Sequence, residues 1–273
     1  MEFGSMRARS SIEPRRATAG ATGAMLRALV ILVLCVHPLV ASASSAPEPA
    51  QPILSRPDAG QNTAAFRIMA LGSSSTRGTG ATSVFASYPA QLERLFNDTA
   101  RGRFAVAVAN RGIGGEDIDD MMKRLASEFL SWRPDLVVWQ VGSNDPLRGV
   151  PIDHFKAELR SGIAAIRASG AEVVLMEPQW SPRLVAADAP NRFIEAVRDV
   201  GATQHADVVR RFEIMRQWLA DGLVSRTDLI GPDGLHMTDQ GYAMLAKAVF
   251  GEIATRSTAY RARVAQATAS KHP

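Results

Sequence analysis

The sequence contains a single cysteine, Cys35, and few aromatic residues, which make up 6% of its 273 positions. Because Cys35 lies in the apolar run 28–40, no disulfide is expected in the chain after that run. The remaining chain must then be stable through its hydrophobic core alone, and its length is sufficient for one. No spacing of histidine and acidic residues is typical of a metal site, so we predict no metal and no cofactor.

Long apolar runs are absent after residue 43, and the run 28–40 is itself too short to span a bilayer comfortably. This run follows Arg27 and precedes Ala41-Ser42-Ala43. A basic residue, an apolar stretch and an Ala-x-Ala sequence together indicate a secretory signal peptide. We therefore predict a periplasmic or secreted protein with no membrane span in the mature chain. An uncleaved membrane anchor is the alternative.

A strong excess of positive charge is also absent once this leader is set aside. The formal net charge of the whole chain is +4, and five arginines against two glutamates lie before Ala43. The rest of the chain therefore has a net charge close to neutrality. This balance gives no reason to expect a nucleic-acid partner.

Composition divides the chain into five segments. Residues 1–5 resemble a cloning remnant, and the stretch 44–63 is rich in Ala, Pro and Ser, as in a disordered linker. The expected organisation is a cloning remnant (1–5), a leader with the signal peptide (6–43), a disordered linker (44–63), one globular domain (64–257) and a polar, frayed tail (258–273).

Within the predicted domain, apolar strand-like runs alternate with helical patterns. The helical segments have apolar residues three and four positions apart, which is typical of a helix with one buried face. Parallel neighbouring strands require such crossover helices, so we predict an α/β fold with a parallel five-stranded sheet covered by helices on both faces. The predicted strands are 66–71, 104–109, 136–141, 172–176 and 207–209.

Polar clusters follow three of the predicted strands directly. They occupy residues 73–76, 110–115 and 142–145, and Asp233 and His236 precede the last predicted helix. Because the carboxyl ends of parallel strands lie at one edge of a sheet, we expect these clusters to meet there.

The residue types in these clusters are those that acyl transfer requires. Ser74 can be the nucleophile, His236 the base that removes its proton, and Asp233 the group that orients the base. The amide of Asn144 and the backbone N–H groups of Ser74 and Gly115 can donate to an oxyanion.

Four segments resemble the four blocks of the SGNH hydrolase superfamily, also called GDSL esterases and lipases. They occur in the order Gly72-Ser73-Ser74-Ser75-Thr76, Asn110-x-Gly112-x-x-Gly115, Gly142-Ser143-Asn144-Asp145 and Asp233-x-x-His236. The resemblance implies a flavodoxin-like three-layer α/β/α sandwich and a serine esterase that needs no cofactor. It assigns the nucleophile to Ser74, the remaining triad roles to Asp233 and His236, and the oxyanion hole to Ser74, Gly115 and Asn144.

One residue departs from the superfamily pattern. Aspartate usually precedes the nucleophile, whereas this chain has Ser73. Ser73 and Ser75 therefore remain alternative nucleophiles, although we expect the chemistry to survive because the missing carboxylate is not a triad member. Asn110 is expected to brace its turn, and Asp145 either to hold its loop through backbone hydrogen bonds or to serve the site.

These features predict an exported esterase that removes a short acyl group, such as acetyl, from a polar carrier. Its partner would be an ester substrate, for example an acylated polysaccharide. The short acyl group is inferred from the lack of a long apolar insertion that could form a lid or a lipid groove. The alternatives are hydrolysis of lysophospholipids or other lipid esters, acyl transfer to an alcohol at the same site, and a non-catalytic glycan-binding protein.

Overall fold

The structure is a computed structural model that describes residues 65–188 and 191–269. The predicted cloning remnant, signal peptide and linker lie outside the described residues, and so does Cys35.

Five parallel strands form the central sheet, in the order β2-β1-β3-β4-β5. This is the strand order of flavodoxin-like doubly wound sheets. The predicted α/β fold with a parallel five-stranded sheet is therefore confirmed. The strands are β1 (Phe66–Gly72), β2 (Val106–Gly112), β3 (Leu136–Gln140), β4 (Glu172–Met176) and β5 (Asp207–Val209).

Helices connect the strands and continue after the last one. Several are single turns at the carboxyl edge of the sheet, which the sequence analysis did not predict. A short 3₁₀ helix spans Val84–Ala86. The α-helices of the described ranges are α1 (Ser74–Arg77), α2 (Tyr88–Ala100), α3 (Ile118–Trp132), α4 (Asp145–Arg148), α5 (Ile152–Ala168), α6 (Pro182–Ala187), α7 (Arg192–Thr203), α8 (Arg211–Ala220), α9 (Arg226–Leu229), α10 (Asp239–Arg256) and α11 (Thr258–Ala269).

Alternate strand residues build two separate cores, one on each face of the sheet. In β1, Ile68 and Ala70 belong to a cluster with the apolar faces of α2 and α10. Met69 and Leu71 belong to a second cluster with α3, α5 and α7. Both faces are thus buried, which explains why the strands read as nearly continuous apolar runs.

An aromatic cluster closes the amino edge of the sheet. The ring of Tyr260, in α11, lies 5.6 Å from that of Phe66 and 4.8 Å from that of Phe96. Phe104, just before β2, lies 6.0 Å from the same ring. Tyr260 is 5% exposed, so α11 is packed on the domain.

This helix replaces the polar, frayed tail expected for residues 258–273, as far as residue 269. Its N-terminus is held by Glu172, the first residue of β4. The Glu172 carboxylate accepts hydrogen bonds from Ser257 Oγ at 2.8 Å and from the backbone N–H groups of Thr258 and Ala259 at 3.2 and 2.9 Å. The expectation of a frayed tail was wrong for these residues, because the groups that hold the helix, Glu172 and the aromatic rings around Tyr260, are distant in sequence.

Candidate active site

The sharp turn after β1 places Ser74 at the carboxyl edge of the sheet. Ser74 is the first residue of α1 and is partly exposed. Two glycines let α1 pack this closely on the strands. A Cβ atom on Gly72 would lie 2.3 Å from Thr76 Oγ1, and one on Gly112 would lie 2.1 Å from the backbone nitrogen of Arg77. Neither position has room for any other residue.

Ser74, His236 and Asp233 form a chain of hydrogen bonds at this edge. Ser74 Oγ lies 2.9 Å from His236 Nε2, and His236 Nδ1 lies 2.5 Å from Asp233 Oδ2. Because an ionised carboxylate can only accept, Nδ1 carries the proton in this pair, and in the neutral ring Nε2 can accept from the serine hydroxyl. The structure thus brings together the three residues assigned to the triad from the sequence.

A tight loop before α10 holds Asp233 against the imidazole. Asp233 Oδ1 accepts from the backbone N–H groups of Leu235 and His236, both at 3.0 Å, and Gly234 takes a left-handed φ of 69°. Partial burial raises the pKa of Asp233, but these two donors and the His236 ring outweigh that effect and lower the pKa to about 2. Asp233 is therefore ionised at neutral pH and can stabilise an imidazolium.

The two serines on either side of Ser74 face the protein interior. Ser73 and Ser75 are each 1% exposed, and their hydroxyls donate to Gln140 Oε1 at 3.0 and 3.2 Å. The backbone N–H of Ser73 donates to the same oxygen at 2.9 Å. Of the three consecutive serines, Ser74 is the one whose hydroxyl faces the imidazole. Ser73 suits its position because a carboxylate there would meet the amide oxygen of Gln140 as a second acceptor.

Of the residues predicted to donate to an oxyanion, Asn144 contacts the turn that carries Gly115. Asn144 Nδ2 donates to the carbonyl of Glu116 at 2.7 Å, which ties Asn144 to the residue after Gly115. An amide nitrogen has two hydrogens, so one contact of this kind leaves a second N–H for a ligand. Gly114 lies beside the nucleophile, since a Cβ atom on it would be 3.9 Å from Ser74 Cβ.

Asn110 and Asp145 brace the loops around the site. Asn110 lies within β2, which ends at Gly112 rather than at residue 109 as predicted. Asn110 Oδ1 accepts from the backbone N–H of Gly112 at 3.0 Å, and its Nδ2 donates to the carbonyl of Arg77 at 3.3 Å. Asp145 Oδ1 accepts from the backbone N–H of Ile118 at 2.9 Å. Burial raises the pKa of Asp145 to about 6, against the opposite effect of its backbone donors.

Two arginines that the sequence analysis did not single out contact the loops around the site, Arg148 at the glycine turn after β2 and Arg124 between the end of β1 and Glu116. Arg148 Nη1 donates to the carbonyl of Gly115 at 3.1 Å. Arg124 Nη2 donates to the carbonyl of Gly72 at 3.3 Å and pairs with the Glu116 carboxylate at 2.6 Å. Their backbone partners are 33 and 52 residues away, so no local pattern indicates these contacts.

The segment between α1 and α2 borders His236. A Cβ atom on Gly80 would lie 3.1 Å from His236 Cβ, and Tyr242 Oη donates to the carbonyl of Thr79 at 2.7 Å. This segment forms a depression of about 340 Å³, and Phe85, near the end of the segment, is 63% exposed. The depression is lined by Arg77, Gly78, Thr79, Gly80, Ala81, Ser83 and Val84.

Within residues 65–188 and 191–269, no group of three or more His, Cys, Asp or Glu side chains could hold a metal ion. In the same part of the chain, no helix is long and apolar enough to cross a membrane.

Residues 42–257 match the non-GDSL lipase-like family. An arylesterase from Vibrio mimicus is 27% identical over 150 residues, which cover 54% of this chain and 70% of that protein. The esterase TesA from Pseudomonas aeruginosa is 28% identical over 131 residues, which cover 46% of this chain and 63% of TesA. The solved structure of a lipase/acylhydrolase from Enterococcus faecalis is similar with a TM-score of 0.59 and 26% identity, over 70% of this chain and 96% of the other.

The fold, the site and these relatives define a carboxylic ester hydrolase of the SGNH superfamily. Within that superfamily, the chain belongs to the non-GDSL lipase-like family. The superfamily and the enzyme class expected from the four sequence segments are therefore confirmed, and the alternative of a non-catalytic glycan-binding protein is not supported.

Proposed function

We propose that this hydrolase is an exported serine esterase in which Ser74, His236 and Asp233 act as a catalytic triad. The observation that supports the proposal is the continuous path of hydrogen bonds, 2.9 Å from Ser74 Oγ to His236 Nε2 and 2.5 Å from His236 Nδ1 to Asp233 Oδ2. Export rests on the basic, apolar and Ala-x-Ala pattern of the leader.

In the first half of the reaction, Ser74 Oγ attacks the carbonyl carbon of the ester while His236 Nε2 takes the hydroxyl proton. The carbonyl oxygen becomes an oxyanion, which the Asn144 amide and the backbone N–H groups of Ser74 and Gly115 stabilise. The imidazolium is stabilised by the ionised Asp233. His236 then gives its proton to the leaving alcohol oxygen as the ester C–O bond breaks, which leaves an acyl group on Ser74.

In the second half, a water molecule takes the place of the alcohol. His236 removes a proton from this water, the resulting hydroxide attacks the acyl carbon, and the proton returns to Ser74 Oγ as the carboxylic acid leaves. An alcohol in place of water would give acyl transfer at the same site.

We propose a short acyl group on a polar carrier as the substrate. The depression beside His236 supports this choice, since its volume of about 340 Å³ is at the lower end of ligand pockets and glycine, threonine, serine and arginine dominate its lining. Backbone and hydroxyl groups of this kind suit hydrogen bonds to a carrier rich in hydroxyl groups, such as an acylated glycan.

A lipid ester is the second candidate, and one observation favours it. Val84 and Phe85, at the end of the same segment, are 44% and 63% exposed, and Leu147, close to Asn144 in the chain, is 41% exposed. Exposed apolar side chains beside a site can bind a longer alkyl chain.

Mass spectrometry after reaction with a serine-reactive phosphonate tests the triad. We expect one adduct, on the peptide that contains Ser74, in the wild type and in Ser73→Ala, and none in Ser74→Ala. The kcat of Ser74→Ala towards p-nitrophenyl acetate should fall at least about 10⁴-fold. Full activity of Ser74→Ala would refute the nucleophile.

A series of p-nitrophenyl esters from acetyl to palmitoyl tests the substrate. We expect kcat/KM to fall steeply as the acyl chain lengthens. A preference for the long chains would favour the lipid ester instead.

A further inference from the structure

Five buried side chains form a closed ring of hydrogen bonds beneath the turn that carries Ser74. We call this set the Arg211 ring. None of its members is more than 5% exposed, although all are polar or charged. The members are Arg211, Ser75, Gln140, Ser143 and Gln179.

The ring starts and ends at the guanidinium of Arg211. Arg211 Nη1 donates to Ser75 Oγ at 3.0 Å, and Ser75 Oγ donates to Gln140 Oε1 at 3.2 Å. Gln140 Nε2 donates to Ser143 Oγ at 3.0 Å, and Ser143 Oγ donates to Gln179 Oε1 at 3.1 Å. Arg211 Nη2 donates to the same Gln179 oxygen at 2.7 Å, which closes the ring.

Arg211 is fully buried, and its side-chain partners in the ring are neutral. Its Nε donates to the backbone carbonyl of Glu177 at 3.0 Å. Burial lowers the pKa of Arg211 to about 10, so the side chain is still charged at neutral pH. A buried charge costs free energy that an apolar side chain of similar size would not. A role in packing alone therefore does not account for this residue.

The ring lies next to three groups of the site, which come from distant parts of the chain. Ser75 follows the nucleophile Ser74, and Ser143 precedes the oxyanion donor Asn144. Gln179 Nε2 donates at 3.3 Å to the carbonyl of Leu235, the residue before His236. Each contact is thus one residue away from a group that must be placed accurately.

We infer that Arg211 is a positioning residue. Through the ring it fixes the relative positions of the turn that carries Ser74, the loop that carries Asn144 and the loop that carries His236. The inference rests on the proposed triad. Arginine suits this role because its rigid fork offers donors in several directions at once. A displacement of about 1 Å at a reacting group can reduce the rate about 100-fold.

Four variants test the inference, and each is first checked for folding by circular dichroism and thermal unfolding. Arg211→Met removes the charge and the donors, Arg211→Lys keeps the charge without the fork, and Ser143→Ala opens the ring through a single hydroxyl. Arg216→Met is the matched control, because Arg216 lies on the same helix and is exposed, with its guanidinium 5.9 Å from the Phe212 ring.

We expect kcat to fall about 100-fold in Arg211→Met and by about tenfold in Arg211→Lys and Ser143→Ala, which lose only part of the ring. The KM should stay within about twofold of the wild type, because the ring holds the reacting groups and not the carrier. The rate of phosphonate labelling at Ser74 should fall in parallel with kcat. Arg216→Met should match the wild type in all three measurements.

Ser143→Ala decides the matter if Arg211→Met does not fold. A folded Ser143→Ala with the wild-type kcat and labelling rate would overturn the inference, as would a change confined to KM. Ser74→Ala, measured in the same experiment, distinguishes an error in the positioning role of Arg211 from an error in the proposed triad. If Ser74→Ala is inactive while the folded ring variants are fully active, only the positioning role is wrong. If Ser74→Ala is active, the proposed triad is wrong.

Discussion

The two edges of the sheet differ in how they are built. The carboxyl edge combines short helices, glycines that allow close packing, and buried polar groups that hydrogen-bond to one another. The amino edge is closed by the aromatic rings of Phe66, Phe96, Phe104 and Tyr260. The carboxyl edge thus holds an ordered set of polar groups, whereas the amino edge buries apolar area that stabilises the fold.

This division leads to a general expectation. Substitutions at the amino edge should lower the free energy of unfolding and leave the activity of the folded protein unchanged. Substitutions of the proposed reactive groups at the carboxyl edge should lower kcat strongly and change the free energy of unfolding little. The following changes test the division, from the largest expected effect to the smallest.

Tyr260→Ala should lower the free energy of unfolding by about 4 kcal/mol, because it leaves a cavity among three aromatic rings. Urea unfolding followed by tryptophan fluorescence measures this change. Tyr260→Phe keeps the ring and should stay within about 0.5 kcal/mol of the wild type. The kcat of folded Tyr260→Ala should equal that of the wild type, and a loss of kcat at full folding would contradict the division between the edges.

Asn144→Ala should lower kcat about 100- to 1000-fold, because it removes the amide that we propose donates to the oxyanion. Steady-state kinetics with p-nitrophenyl acetate measures the loss, and Gln217→Ala on the exposed face of α8 serves as a control for the loss of a side-chain amide. A variant that keeps wild-type kcat would exclude Asn144 from the oxyanion hole.

Asp145→Asn should change how stability depends on pH. The pKa of Asp145 is raised from 3.8 to about 6 in the folded protein. A raised pKa favours the folded state below about pH 4, and that contribution is lost as the pH rises through about 6. The unfolding free energy of the wild type should therefore fall by about 2.4 kcal/mol relative to Asp145→Asn between pH 4 and pH 7.

Urea unfolding of both proteins at several pH values tests this change. If the unfolding free energies of the wild type and Asp145→Asn differ by the same amount from pH 4 to pH 7, Asp145 is not the titrating group.

The sequence contained enough local information for the sheet and for the cluster of polar loops. The apolar faces of α5 and α10 follow from periodicity alone, because burial of one helix face imposes a repeat on the sequence. The prediction that Ser74, His236 and Asp233 lie together used the rule that parallel strands share a carboxyl edge, together with the resemblance of four segments to the SGNH superfamily. Their roles in catalysis remain a prediction that the experiments above test.

The features that the sequence analysis missed depend on contacts between distant residues. Arg211 looks like an ordinary helix residue, and its partner Ser75 is 136 positions away. Tyr260 and Glu172 fix α11 in the same non-local way. The predicted end of the second strand was short because Asn110 is polar, yet the pairing of β2 with β1 continues to Gly112.

The position of α11 has a practical consequence for anyone who shortens this chain. The region that matches the family ends at residue 257, so a fragment trimmed to that boundary would retain all the proposed reactive groups. It would also lose Tyr260 and uncover the apolar rings of Phe66, Phe96 and Phe104. Such a fragment would expose an apolar surface at the edge of the sheet opposite to the proposed active site. It would be prone to aggregate although the proposed reactive groups were all present.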